Sequence, residues 1–85
     1  MKKYVIIYLE SSGDRYMIKY DEDTEEYMRG LFRRMDEKTR RLYAATEAMK
    51  LGHGGIKYIS EILGISPKTI YNGKKDLEEL KKTTI

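Results

Sequence analysis

The chain has 85 residues, of which 40% are hydrophobic and 36% charged, with 17 Lys+Arg against 14 Asp+Glu for a net charge of +3 and no cysteine. This length holds one small domain with a modest core, and the absence of cysteine excludes disulfides, thiolate metal sites and thiol catalysis. The composition fits a soluble globular chain rather than a disordered one; the longest apolar run, "YVIIYL", is too short to span a bilayer and has no cleavage pattern after it, so a cytoplasmic protein without a signal peptide or membrane contact is expected.

"KYVIIYLE" (Lys3 to Glu10) and "RYMIKY" (Arg15 to Tyr20) flank the turn cluster "SSGD" (Ser11 to Asp14). Two β-branched and aromatic runs around a short glycine-containing loop predict a β-hairpin over residues 1–20. In its first strand Tyr4, Ile6 and Tyr8 fall on one side and Val5, Ile7 and Leu9 on the other. A strand apolar on both faces calls for cover, and pairing of two copies through the hairpin would supply it, so a homodimer is expected.

The acidic run "DEDTEE" (Asp21 to Glu26) reads as an N-cap and first turn at the positive end of a helix rather than a carboxylate site. Tyr27, Met28, Leu31, Phe32 and Met35 then recur at helical spacing as a core stripe. Asp36 predicts a second N-cap, and a helix from about Glu37 to Lys50 that puts Met35, Leu42, Ala45 and Met49 on one face and stops at Gly52. "GHGG" (Gly52 to Gly55) is a connector, in which His53, the single histidine, is a solvent-facing loop residue without metal co-ligands.

Ile56, Ile59, Ile62 and Leu63 define a short helix ended by Gly64. Ser66 is a strong N-cap and Pro67 suits the first helical position. The helix that follows carries Ile70, Leu77 and Leu80 on one face, continues through Gly73 and frays in the tail "KKTTI". Two short helices joined by "GIS", with Ile65 between them, have the layout of a helix-turn-helix. With Ile70 turned inward, Lys68, Tyr71, Asn72 and Lys75 line the opposite face at spacings i, i+3, i+4 and i+7. Asparagine can pair with adenine, lysine with guanine or phosphate, and tyrosine with the sugar–phosphate backbone. From Lys50 to Lys75 the chain has lysines at 50, 57, 68, 74 and 75 and the acid Glu61 alone. That local charge attracts polyanions.

The segment from Asp36 to Leu80 resembles the N-terminal DNA-binding part of the Rhodopirellula-type DDE transposases of bacterial insertion sequences. The resemblance rests on "DE" followed by "RRL", on "AA" with "EA", on "LG", "GGI" and "GIS", on a threonine–isoleucine pair with a glycine in the last helix, and on "LEEL". It implies binding to transposon-end DNA and a link to mobile elements. It does not imply transposition by these residues, because the family's catalytic carboxylate domain would lie beyond Ile85. The family tends to have arginines where Tyr71 and Asn72 stand, and the hairpin lies outside the resemblance.

The expected fold is therefore α+β, an N-terminal β-hairpin (1–20) followed by a mostly helical bundle containing a helix-turn-helix (21–85), in a single compact unit. The expected function is non-enzymatic: sequence-specific binding of double-stranded DNA, as a transcriptional regulator or mobile-element accessory, with no cofactor, metal or small-molecule substrate. The alternative is a protein–protein interaction module that uses the hairpin. Ser66, Lys68, Thr69, Tyr71, Asn72 and Lys75 are the base-edge or backbone contacts, and Lys57, Tyr58, Lys74 and the Gly52 to Gly55 loop the phosphate contacts.

Overall fold

The computed structural model describes residues 4–8 and 16–83, with side chains over residues 19–82. Two strands, β1 (Tyr4–Tyr8) and β2 (Tyr16–Tyr20), precede helices α1 (Glu22–Arg33), α2 (Glu37–Leu51), α3 (Gly55–Leu63) and α4 (Pro67–Thr83). The turn expected at Ser11 to Asp14 lies outside the described residues.

The α+β assignment is corrected to a mainly helical fold. β1 and β2 are five residues each and pair antiparallel, with Tyr4 opposite Tyr20 and Tyr8 opposite Tyr16. This two-stranded ladder is a small part of a chain that is helical over most of its described residues. Every buried apolar residue among those described comes from a helix: Met28 and Phe32 of α1, Ala44, Ala45 and Ala48 of α2, Tyr58, Ile59, Ile62 and Leu63 of α3, and Ile70 of α4. Tyr20, at the end of β2, is the described strand residue that packs against them. A two-stranded ladder is marginal by itself, and the driving force for folding here is burial between helices.

Local chemistry starts α1 and α2. The Asp21 carboxylate accepts the Thr24 N–H at 2.8 Å, and Asp36 accepts that of Thr39 at 2.8 Å. These hydrogen bonds to the ionised form hold both carboxyls below the usual carboxylate range. Arg40 closes the first helix from the second: its Nε donates to the Phe32 carbonyl and its Nη2 to that of Arg33, each at 3.0 Å. Its guanidinium also lies 5.3 Å from the Phe32 ring centre.

α2 is the central helix. Its small residues Ala44, Ala45 and Ala48 form the floor on which α3 and α4 rest. Two helical glycines make the close approach: a Cβ on Gly55 would strike the Ala48 carbonyl, and a Cβ on Gly73 would strike the Arg41 carbonyl. The face expected for α2 is displaced as a result. Ala45 is buried as expected, but Met49 is 56% exposed and Leu42 only half-buried. Tyr27 and Leu31 were expected in the core and are 71% and 55% exposed, because the buried apolar residues of α1 are Met28 and Phe32. Leu77 packs on the core, whereas Leu80 points outward. α4 runs on to Thr83, through most of the tail expected to fray.

Candidate nucleic-acid interface

The turn between α3 and α4 is set by glycine. Gly64 has φ 70° and ψ 36°, a left-handed conformation that side chains resist. There its N–H and that of Ile65 both reach the Ser60 carbonyl, at 2.9 and 3.1 Å. Ser66 then caps α4: its Oγ accepts the Thr69 N–H at 3.3 Å and lies 3.2 Å from Thr69 Oγ1. Ile65 packs against the core beneath the turn. Ser60 is small and buried, and its hydroxyl is satisfied by the Lys57 carbonyl at 2.8 Å.

Two anchors fix the rotation of α4 about its axis. Ile70 is completely buried, and Gly73 lies on the backbone of α2. Gly73 does not break the helix, which is continuous from Pro67 to Thr83. With those positions inward, Lys68, Tyr71, Asn72 and Lys75 are exposed together. Lys74 is half-buried, with its ammonium 5.7 Å from the Tyr71 ring centre, a contact that restricts both side chains. Asp76, the first acid of α4, is turned to α2 and held by Arg41 at 2.8 Å. That pairing raises the Arg41 pKa and neutralises the carboxylate nearest the basic face.

The remaining expected contacts divide. Lys57 of α3 is exposed, as are Ser66 and the loop residues Gly52 and His53, while Thr69 is half-buried beside Ser66. Two loop amides are already used: Gly52 N–H donates to the Ala48 carbonyl at 3.3 Å and Gly55 N–H to that of Gly52 at 2.9 Å. Tyr58 is a correction. It is 8% exposed, its hydroxyl donates to Glu25, and the same oxygen accepts the Tyr20 N–H at 2.8 Å. Burial, then the hydrogen bond to Glu25, pushes its pKa far above the usual phenol value. A phenol so committed is a structural tie between α3, α1 and the end of β2, not a phosphate contact.

Sequence reasoning missed that tie and its continuation. The Tyr20 hydroxyl donates to Glu47 Oε1 at 3.1 Å, and Glu47 also pairs with Lys50 at 3.3 Å. The Tyr20 and Tyr58 rings lie 6.0 Å apart. The partners are separated by up to 38 residues, so no local spacing signals them. Among the described residues no group of His, Asp or Glu is placed to hold a metal ion, and no helix is long and apolar enough to cross a membrane.

Comparison with protein families, curated proteins and solved structures gives no match to this chain.

Proposed function

We propose that the chain binds double-stranded DNA sequence-specifically, with α4 as the helix that enters the major groove. The observation that carries this reading is the orientation of α4. Ile70 and Gly73 face inward, so Lys68, Tyr71, Asn72 and Lys75 stand outward on its first half. The first half of a recognition helix is the part that reaches base edges in a helix-turn-helix. The side chains there can read adenine and guanine edges and bind phosphate, and Arg41 neutralises the nearest acid. The resemblance of Asp36 to Leu80 to transposase DNA-binding segments supports the same reading, with a regulator or mobile-element accessory as the biological role.

The roles follow from position. Asn72 and Lys68 read bases; Tyr71, Lys75, Lys74 and Lys57 hold the backbone; Ser66 and Thr69 set the first turn of α4 against it. A single helix-turn-helix reads a few base pairs, and a dimer would read two half-sites about 34–36 Å apart. Selection of bound sequences from a random duplex library tests the proposal. Enrichment of one motif, bound with an affinity that falls steeply with salt, is the expected result. Absence of any enriched motif, or salt-independent binding, overturns it.

A further inference from the structure

α1 carries an outer face that the described residues leave uncovered. Met28 and Phe32 face inward, and Asp23, Tyr27, Gly30, Leu31 and Arg34 follow one another along the far side of the helix. Tyr27 and Leu31 are the large apolar members and both are exposed. Between them sits a half-buried glycine that no contact among the described residues requires. Gly55 and Gly73 are explained by backbone contact with α2, whereas a Cβ on Gly30 meets nothing within 4 Å among the described residues. Gly30 has no positive φ either. A mid-helix glycine costs about two- to fivefold in helix formation relative to alanine, and a contact with a second copy would give it a use.

The charges of α1 indicate which partner. Its first turn is acidic (Glu22, Asp23, Glu25), and Arg33 and Arg34 lie at its C-terminal end. Such a helix is complementary to itself run backwards. Asp23 precedes Tyr27 by the same interval at which Gly30 precedes Arg34. An antiparallel pair that seats Tyr27 over the partner's Gly30 therefore also sets Asp23 opposite the partner's Arg34. A two-fold axis makes each contact twice. Asp23 has no ion-pair partner among the described residues, and Arg34 uses one nitrogen on its own Gly30 carbonyl at 3.2 Å, leaving further guanidinium donors.

We infer that α1 is a homodimer interface, formed antiparallel with α1 of a second copy, with Tyr27 in the notch at the partner's Gly30 and an Asp23–Arg34 pair at each end. One pair of short helices lies at the small end of protein interfaces, so the dimer is weak and forms from micromolar concentration upward. The inference concerns assembly and does not rest on the DNA reading. It also differs from pairing through the strands.

Sedimentation equilibrium of the full chain, from micromolar to near-millimolar, decides it. The wild type should dimerise, and Tyr27→Asp should weaken association by about tenfold or more. Asp23→Arg and Arg34→Asp each place like charges opposite one another and should be monomeric alone. Mixed together they restore both opposite-charge pairs and should form a heterodimer. Gly30→Leu keeps the test open if the charge variants fold poorly: at low concentration it should raise the melting temperature, yet weaken association by about tenfold by filling the notch. A wild type monomeric throughout, a mixture that stays monomeric, or a dimer that survives Tyr27→Asp but is split by Ile7→Asp overturns the inference.

Discussion

Gly73 of α4 stands directly against the backbone carbonyl of Arg41 on α2, so closely that no side chain fits between the two helices. The same contact sets the rotation of α4 and hence which residues it turns outward. The close approach and the candidate interface are thus two consequences of one missing Cβ.

Replacing Gly73 with alanine should therefore destabilise the protein, although alanine is the better helix former by about 1 kcal/mol. A carbonyl cannot rotate aside as a side chain can, so α4 must shift off α2. A net loss of about 1–3 kcal/mol is expected from urea unfolding. Gly30→Ala, where a Cβ meets open space, should gain about 0.4–1 kcal/mol in dilute solution. A stabilised Gly73→Ala protein would show that the helices are not in contact there.

Tyr58→Phe should cost about 1–3 kcal/mol, because it leaves the Tyr20 N–H and the Glu25 carboxylate without their partner. DNA affinity, corrected for the folded fraction, should stay at the wild-type value. Were Tyr58 a phosphate contact, affinity would instead drop in the folded protein.

On the outward face of α4, Asn72→Ala should weaken binding to the selected site by about 1–3 kcal/mol and leave non-specific binding nearly intact. Lys75→Ala should weaken all sequences alike and lower the salt slope by about one. Competition titrations at several salt concentrations separate the two; wild-type affinity in both variants would mean that α4 does not read DNA.

Gly64→Val should lower thermal stability and DNA binding together, since a β-branched residue is strained at φ 70°. The cost in the left-handed region is at least about 1–2 kcal/mol. An unchanged melting temperature would place the turn elsewhere.

The Tyr20 phenol is pushed up to about 12 from 10.0, by burial first and then by the neighbouring Glu47 carboxylate. The folded state holds this proton more tightly than the unfolded state. Its contribution to stability is therefore complete below about pH 10 and is lost as pH rises through about 12. Tyr20→Phe should flatten the decline of melting temperature across that window. The slope that remains includes Tyr58 and Tyr43, whose pKa values are raised in the same direction.

What the sequence determined by itself was chiefly local. Asp21, Asp36 and Ser66 cap helices through bonds to an amide three residues on. Gly52 and Gly64 end helices through positive φ. The register of Ile70 with Lys68, Tyr71, Asn72 and Lys75 follows from the helical repeat. Such features depend on neighbours within one turn of chain, so residue type and spacing carry them. Tertiary structure alone decided which apolar faces are covered. Periodicity marks Tyr27, Leu31 and Met49 as readily as Met28 and Phe32, but only the position of α3 against α1, and of α3 and α4 against α2, chooses between them. The same holds for Tyr58, drawn inward by Glu25 and Tyr20. Burial depends on where remote segments pack, and that geometry is not encoded in any one local spacing.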